Sequence, residues 1–333
     1  MILAGDVGGT HTRLAFVDVA NGALRPASVV VYPSHEYRGL EEIVSSFVSE
    51  YKARPDAACF GVAGPVLKGR VETPNLPWIV ESKHLADKVG TPMLTLINDL
   101  EANAWGIATL EAKDLVLLHP VKSSPIGNQA VISAGTGLGE AGLYWDGMRH
   151  HIFASEGGHA DFAPQNELQI ELLQYLIARF GHVSYERVVS GPGLVNIFYF
   201  LRDTKRGTEP AWLTEEMAHG DAAAVISRVA SEGRCPLCEQ ALDLFVSIYG
   251  AETGNLALKV KATGGVYLGG GIAPKILTKL AGPLFMQSFL AKGRMQALLE
   301  TIPVRVINNE STALLGAARC AAATLSGNYA VQN

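Results

Sequence analysis

The sequence predicts an α/β protein built from two similar halves, and three observations support this expectation. Residues 2–19 form a pattern of strand, glycine turn and strand, and residues 129–145 repeat that layout. Helix-like and strand-like patterns alternate between and after these hairpins, as they do in α/β domains. The length of 333 residues suits about two domains. A weak internal duplication on this scale indicates two halves of one architecture.

The first half opens with a predicted hairpin. Apolar runs at 2–4 and 14–17 flank a turn that contains Gly8 and Gly9, which is a hairpin signal. Apolar residues at steps of three and four then predict an amphipathic helix over 40–51. The remaining predicted elements of this half are strands at 57–63 and 93–97 and a helix at 100–110.

A polar stretch with several prolines and a glycine begins near residue 111, and we predict a domain boundary there. The second hairpin follows this stretch. Helical periodicity dominates afterwards, and Ser311 is a candidate N-cap for the last helix. The predicted elements are strands at 129–134, 141–145, 266–269 and 304–307 and helices at 168–180, 222–232, 237–260 and 313–323.

Composition and charge argue against several classes of protein. The 27 Lys and Arg against 32 Asp and Glu give a net charge of −5 without a basic block, which disfavours nucleic-acid binding. No apolar run approaches the roughly 20 residues of a membrane helix, and the first residues lack the basic region of a signal peptide. Four cysteines do not make a disulfide framework. We therefore expect a reduced, soluble, cytoplasmic enzyme with no nucleic-acid or membrane partner.

The two glycine turns are candidate phosphate sites. Glycine leaves backbone N–H groups unobstructed, and clusters of such groups bind phosphate oxygens, although one glycine turn alone is more often only a turn. Thr10 and Thr136 add a hydroxyl to each turn. Asp6 ends the strand before the first turn, and a carboxylate beside phosphate makes chemical sense when Mg²⁺ lies between them. The paired turns with the adjoining acid favour phosphate binding with magnesium.

Two other nucleotide motifs fail on their context. The segment 64–69 begins like a Walker A loop, but Arg70 and Val71 stand where Lys and Ser or Thr are required. The segment 137–142 matches G-x-G-x-x-G, yet a strand and a turn follow it instead of the helix that a dinucleotide site needs. We therefore predict neither a Walker A loop nor a dinucleotide fold.

Acidic residues elsewhere are candidate catalytic or sugar-binding groups. Asp99 lies between a predicted strand and a predicted helix, where ligands bind α/β sheets, and could accept a proton from a hydroxyl that attacks phosphate. Asn98 or Asp99 could instead only cap the helix. Glu156 and His159 flank two glycines and could bind polyol hydroxyls, with a structural role or a metal site as alternatives. The residues around Glu186 do not indicate a ligand site, and the local sequence pattern predicts an exposed position on a helix.

Six strings that are rich in glycine or acid occur in a fixed order along the chain. They are Gly-Asp-Val-Gly-Gly-Thr at 5–10, Ile-Asn-Asp at 97–99, Ala-Gly-Thr-Gly-Leu-Gly at 134–139, Glu-Gly-Gly-His-Ala-Asp-Phe-Ala-Pro at 156–164, Glu-Arg-Val-Val-Ser-Gly-Pro-Gly-Leu at 186–194 and Gly-Gly-Val-Tyr-Leu-Gly-Gly-Gly-Ile at 264–272. Together they resemble the bacterial glucokinase family over about residues 2–320. The wider actin-like ATPase superfamily shares the glycine strings, whereas those at 156–164 and 186–193 are more specific.

The resemblance implies an actin-like, ribonuclease-H-like duplicated α/β fold, with two domains and a cleft between them. The final helix would return to the first domain, so the implied domains are a small one of 1–110 with 311–333 and a large one of 111–310. A homodimer is implied as well. Many ROK (repressor, open reading frame, kinase) proteins carry a cysteine-rich zinc motif after the Gly-Gly-His string, but 160–164 has no cysteine and Cys235 and Cys238 lack a second pair at zinc spacing. We therefore expect no zinc.

The resemblance also implies ATP-dependent phosphorylation of D-glucose at its 6-hydroxyl, with Mg²⁺ as cofactor and Asp6 reaching the metal through water. Asp99 stands at the position of the family's catalytic base, so the resemblance implies that role for it. The residues implied to bind glucose are Asn98, Glu156, His159 and Glu186, together with Asn75 by likeness to a sugar-side loop of the broader ROK sugar kinases. The residues implied to bind the nucleotide are Gly5, Asp6, Val7, Gly8, Gly9, Thr10, Gly135, Thr136, Gly137, Gly269 and Gly270.

Three alternatives remain open at this point. The chain could phosphorylate another hexose or an N-acetylhexosamine. It could be a sugar-responsive repressor, although a glycine turn that starts at residue 5 leaves no room for a preceding helix-turn-helix and the chain is acidic. It could also be an inactive sugar-binding protein, which the retention of Asp99 and both glycine turns argues against.

Overall fold

The computed structural model describes residues 1–20, 23–74, 76–122 and 125–327. The chain divides into two compact units, one of Met1–Lys113 with Asn309–Asn333 and one of Asp114–Asn308. The strands are β1 (Ile2–Val7), β2 (His11–Ala20), β3 (Ala23–Pro33), β4 (Ala57–Val62), β5 (Arg70–Glu72), β6 (Ile79–Glu81), β7 (Leu94–Asn98), β8 (Leu115–His119), β9 (Gln129–Ala134), β10 (Leu138–Trp145), β11 (His150–Ser155), β12 (Gly265–Gly269) and β13 (Val304–Ile307). The helices are α1 (Leu40–Tyr51), α2 (Ser82–Val89), α3 (Asp99–Gly106), α4 (Glu167–Phe180), α5 (Gly191–Asp203), α6 (Ala211–His219), α7 (Ala222–Ser231), α8 (Pro236–Lys259), α9 (Leu277–Leu280), α10 (Pro283–Leu290), α11 (Gln296–Leu299) and α12 (Thr312–Leu325).

The main sheet of the first unit has the strand order β3-β2-β1-β4-β7. Strands β1, β2 and β3 form an antiparallel meander, whereas β4 lies parallel to β1 and β7 lies parallel to β4. Parallel strands need crossover connections, and α1 and α2 supply them here. The carboxyl ends of β1, β4 and β7 therefore meet at one edge of the sheet, which is the edge where α/β sheets bind ligands.

Both faces of this sheet are covered by helices. On one face, α1 packs Phe47 against Phe16, with the two ring centroids 5.0 Å apart. On the other face, α12 packs against α3, β1 and β4 with small residues such as Ala317 and Ala321. The predicted capping role of Ser311 is wrong, because its side chain makes no capping hydrogen bond to α12. Its backbone N–H instead donates to Asn309 Oδ1 at 2.8 Å.

The main sheet of the second unit repeats this plan, with the strand order β11-β10-β9-β12-β13-β8. Strands β9, β10 and β11 are antiparallel, and β12 and β13 continue the sheet in parallel. Strand β8 adds an antiparallel edge that the first unit lacks. The expected duplicated α/β fold is therefore confirmed.

The core of the second unit is built around α8. This helix is buried along most of its length, and it packs against α5, α7 and α10 as well as β9 and β12. Tyr249 and Phe245 are fully buried in it, and a helix that is covered on all sides is apolar on all sides. None of the described helices is both long enough and apolar enough to span a bilayer.

Candidate active site

The first glycine turn joins β1 to β2. The Gly8 N–H donates to the carbonyl oxygen of His11 at 3.0 Å, which closes the turn, and Thr10 at its end is exposed. Ser34 supports the turn from below, because its buried hydroxyl donates to the Gly8 carbonyl at 2.8 Å and lies 3.0 Å from Thr12 Oγ1. No local sequence pattern links Ser34 to a turn 26 residues away, so its role is visible only in the structure.

Asp6 lies just before this turn, with its side chain 17% exposed. Arg13 Nη1 is 3.4 Å from Asp6 Oδ2, and the same guanidinium reaches Glu310 at 3.5 Å. Burial raises the pKa of Asp6, and the Arg13 guanidinium opposes that rise. Mg²⁺ bound to a nucleotide keeps several waters and takes one or two carboxylates, so one nearby carboxylate suits a water-mediated contact. The water-mediated magnesium contact of Asp6 stays a prediction.

Asn98 and Asp99 stand at the junction of β7 and α3. Asn98 caps the helix, since its Oδ1 accepts the Leu100 N–H at 2.8 Å and its amide donates to the Gly64 carbonyl at 3.0 Å. Asp99 Oδ1 also accepts the Leu100 N–H, at 2.9 Å. The capping alternative therefore holds for Asn98, whose amide still has a second lone pair and a second N–H for a ligand.

The register of the sheet brings Asp99 to the same edge as the first glycine turn. Asp6 of β1, Gly61 of β4 and Ile97 of β7 lie level with one another. Gly8 and Asp99 are each two residues beyond this level. The two strands that lead to them, β1 and β7, are two strand spacings apart, or about 10 Å. A carboxylate and a glycine turn therefore share one rim of the first unit.

The second glycine turn, between β9 and β10, is joined to two other predicted strings. Within the turn, the Gly135 N–H donates to the Gly137 carbonyl at 2.9 Å, and Thr136 is exposed. Glu186 is half-buried in a short 3₁₀ turn, and its Oε2 accepts the Leu138 N–H at 3.0 Å. The expectation of an exposed helix position for Glu186 is therefore wrong, because the carboxylate anchors the end of the glycine turn.

The Gly-Gly-His string forms a 3₁₀ turn, which we call the 156–159 turn. Its outer residues Glu156 and His159 are exposed, whereas Gly158 is buried against the start of β10. A Cβ atom on Gly158 would collide with the Leu138 carbonyl, so only glycine allows this approach. The turn therefore lies directly on the strand that follows the second glycine turn.

A backbone hydrogen bond connects the 156–159 turn to the segment that carries Glu186. The Tyr185 N–H donates to the Ala160 carbonyl at 3.0 Å. The 156–159 turn and Glu186, which are far apart in sequence, therefore both contact the start of β10. Carboxylates and an imidazole arranged in this way can accept and donate hydrogen bonds to several hydroxyls of one ligand.

The third glycine string lies at the carboxyl end of β12, beside the second glycine turn. Gly269 packs against the hydroxyl of Ser133 at the end of β9, where a Cβ atom would collide with it. The Ile272 N–H donates to the Ala134 carbonyl at 3.2 Å. Gly270 has φ +79°, and a Cβ atom there would strike the backbone of Ala134. The structure thus brings the predicted nucleotide segments of the second unit together.

For three residues that are predicted to bind nucleotide or sugar, the structure gives no support for a side-chain contact with a ligand. Gly5 lies inside β1, where the ring of Phe60 occupies the space of a side chain, so its small size serves packing. The Val7 side chain is buried, which leaves its backbone for any ligand. Asn75 lies outside the described residues. Nucleotide contacts by Gly5 and Val7 remain predictions.

Side chains that could bind a metal ion do not cluster in the described part of the chain. There, no group of three or more His, Cys, Asp and Glu side chains is placed to hold a metal ion. Cys235 and Cys238 are free thiols, buried at the start of α8. The desolvation of Cys238 and the nearby Cys235 raise its pKa.

The match to a family model decides the classification of this chain. The model of the family described as Glucokinase matches residues 3–324. The chain belongs to the glucokinase family. A glucokinase from a Nostoc species is 43% identical over 338 residues, which cover 97% of this chain and 99% of that protein.

Solved structures of other glucokinases share the fold. The glucokinase from an Antarctic psychrotroph superposes with a TM-score of 0.83 at 31% identity, and the match covers 96% of this chain and 98% of the other. A ROK family glucokinase from Streptomyces griseus, solved with glucose and AMPPNP, has a TM-score of 0.63 at 22% identity over 96% and 99% of the two chains. The second likeness bears on the fold alone, which is the actin-like duplicated α/β fold.

Proposed function

We propose that this member of the glucokinase family transfers the γ-phosphoryl group of ATP to the 6-hydroxyl of D-glucose. The observation that carries the proposal is the common rim of the first unit, where the register of β1, β4 and β7 brings Asp99 and the Gly8 turn to the same edge. A base for a hydroxyl and a cradle for phosphate are the two groups that such a transfer needs.

In the proposed reaction, the glucose O6 attacks the γ-phosphorus of ATP. A bond forms between O6 and phosphorus, the bond from the γ-phosphorus to the bridging oxygen breaks, and ADP leaves with that oxygen. The Asp99 carboxylate accepts the proton of the 6-hydroxyl. Bound Mg²⁺ would neutralise phosphate charge, and Asp6 is the residue proposed to hold it through water. The protein's contribution is then positioning and charge stabilisation.

The proposed binding residues fall into two groups. We propose that Asn98, Glu156, His159 and Glu186 bind the glucose hydroxyls, and that Asn75 adds a further contact. The nucleotide phosphates are proposed to bind the N–H groups of 8–10 and 135–137, with 269–270 near the adenosine. The support is the clustering of 135–137, 156–159, Glu186 and 269–270 in the second unit.

Coupled detection of glucose 6-phosphate tests the function directly. The purified chain is incubated with glucose, ATP and Mg²⁺, and glucose 6-phosphate dehydrogenase reports the product. We expect turnover that needs all three components and stops when EDTA removes the metal. N-acetylglucosamine and other hexoses, followed through ADP release, serve as comparison sugars. Turnover that is absent with glucose but present with another sugar would contradict the proposed substrate.

Glu186→Gln tests the sugar-binding role of that carboxylate. The glutamine carbonyl can still accept the Leu138 N–H, so the anchor of the glycine turn survives. The other oxygen becomes an amide donor, which removes a charged acceptor whose hydrogen bond is worth about 1.5–3 kcal/mol. We expect the KM for glucose to rise about tenfold or more, with kcat within about threefold of the wild type. Steady-state kinetics over glucose concentration measure this.

The matched control for this variant is Glu215→Gln, which alters an exposed carboxylate of α6 in the same unit. It should leave the KM for glucose unchanged. An unchanged KM in Glu186→Gln itself would remove Glu186 from the sugar site.

Four further properties belong to the proposal. We propose that the domains are 1–110 with 311–333 and 111–310, that the protein is a homodimer, that it is cytoplasmic and that it uses Mg²⁺ without zinc. Family membership supports the dimer, and the four free, buried cysteines support a reducing compartment. Light scattering would test the dimer, and metal analysis of the purified protein would test the zinc prediction.

A further inference from the structure

A cluster of buried charged groups lies beneath the 156–159 turn in the second unit. Glu140 of β10 is 1% exposed and Glu252 of α8 is fully buried. Removing carboxyl groups from water costs free energy. Buried carboxyl groups therefore occur in folded proteins mainly where they are paired or hydrogen-bonded. This pair plays no part in the reaction proposed above, so its position calls for a separate explanation.

Glu252 is held by hydrogen bonds on both of its oxygens. Lys259 Nζ donates to Oε1 at 3.0 Å, and Asn255 Nδ2 donates to Oε2 at 2.7 Å. The same Asn255 amide group donates to the Tyr185 hydroxyl at 2.9 Å, and its Oδ1 accepts Lys292 Nζ at 2.6 Å. Glu252 therefore has the partners of an ionised carboxylate.

Glu140 has a different environment. Within the described structure its Oε1 is buried and accepts no hydrogen bond from an N–H group or a hydroxyl. Its Oε2 lies against Gly157, where a Cβ atom would collide with it. The carboxyl group thus fills the space directly under Gly157, so a movement toward this glycine would displace the 156–159 turn.

The titratable groups around Glu140 and Glu252 come from several elements. Glu252 and Lys259 belong to α8, as does Tyr249, while Tyr185 lies beside the turn and Lys292 follows α10. Burial, followed by the charge of Glu252 and a hydrogen bond with it, raises the pKa of Glu140 to about 8, and the charge of Lys259 opposes this rise. The raised pKa favours the neutral acid form of Glu140.

The cluster contacts residues next to the proposed sugar-binding residues at two places. Glu140 touches Gly157, which lies between Glu156 and His159 in the chain. Asn255 holds Tyr185, the residue before Glu186. Loss of the proton would place two negative carboxylates side by side, and their repulsion would push Glu140 toward the glycine pair.

We propose that Glu140 is a positioning residue, which shares a proton with Glu252 and so keeps the 156–159 turn in its glucose-binding position. This inference rests on the proposed function and adds a pH dependence to it. Glucose affinity is complete while Glu140 is protonated and falls as the pH rises through the value at which Glu140 ionises. The step that follows binding is unaffected, so the effect lies in KM and not in kcat.

The test compares the pH dependence of glucose KM in the wild type and in Glu140→Gln between pH 7 and pH 9. Glutamine has the shape of the neutral acid and can donate to Glu252, but it cannot ionise. Only molecules in which Glu140 is protonated are expected to bind glucose well, so the apparent affinity follows the protonated fraction. We therefore expect the wild-type KM to rise about tenfold over this range. In Glu140→Gln the KM should stay near its wild-type value at pH 7 and change little with pH. Glu215→Gln is the control and should follow the wild type.

Lys259→Gln provides a second test that does not require Glu140 to be changed. Glutamine can still donate to Glu252, while the loss of the positive charge removes an interaction that favours ionised Glu140. The rise in glucose KM should therefore move to higher pH. Lys259 is about half exposed, so the protein should tolerate this change.

The outcomes separate this inference from the proposed function. An active wild type whose KM does not rise, a Glu140→Gln enzyme that keeps the full rise, or an unmoved rise in Lys259→Gln would overturn the role of Glu140. A wild type that forms no glucose 6-phosphate at any pH would instead refute the proposed function, on which the inference depends. Circular dichroism confirms that each variant is folded before its kinetics are compared.

Discussion

Asp99→Asn is expected to lower kcat by about 10³-fold while glucose affinity stays nearly constant. Asparagine keeps the oxygen that accepts the Leu100 N–H, so the start of α3 is preserved. It cannot accept the proton of the 6-hydroxyl, because an amide is not a base at neutral pH. The coupled assay measures kcat, and isothermal titration measures glucose binding.

The matched control is Asp87→Asn, which changes an exposed carboxylate of α2 in the same unit. It should retain the activity of the wild type. Near-normal turnover in Asp99→Asn would mean that another group accepts the proton, and it would remove the central residue of the proposed mechanism. A loss of glucose binding that matches the loss of kcat would instead indicate a role in the sugar site.

Gly158→Ala is expected to lower kcat/KM for glucose by about 10²-fold. The added methyl group would collide with the Leu138 carbonyl, which is backbone and cannot rotate away. The 156–159 turn must therefore shift, and a displacement of about 1 Å at a positioning element costs on the order of 10²-fold. Steady-state kinetics measure the loss, and thermal unfolding shows whether the protein remains folded.

The control for this variant is Gly220→Ala, in which the new Cβ atom would meet its neighbours only at ordinary distances of 3.5 Å and 3.7 Å. Gly220 has φ −141°, a conformation open to alanine. This control should leave kcat/KM unchanged within about twofold. A folded Gly158→Ala enzyme with wild-type kcat/KM would show that the turn does not hold the sugar.

Local patterns were sufficient for many of the regular elements. The helix predicted over 40–51 is α1, and the predicted hairpins are β1 with β2 and β9 with β10. The rejection of the dinucleotide motif at 137–142 is confirmed, because β10 continues through it as a strand. These predictions succeed because periodicity and turn chemistry are encoded by residues that are neighbours in sequence.

The missed features depend on partners that are distant in the chain. The long strand β3 and the edge strand β11 escaped prediction, and so did the support of the first glycine turn by Ser34. Glu140 has no sequence signal, since its importance comes from Glu252 in α8 and from Gly157 above it. No local pattern indicates which groups the packing of a sheet and a helix will bring together.

The amino-acid sequence alone determined the family of this chain, its duplicated α/β plan and the residue types available for catalysis, because ordered motifs and apolar periodicity are local properties. Tertiary structure alone decided that Asp99 shares a rim with the first glycine turn, that Glu186 anchors the second, and that two acids lie buried under the 156–159 turn. Strand register and close packing set these distances, and both arise only when segments far apart in sequence meet.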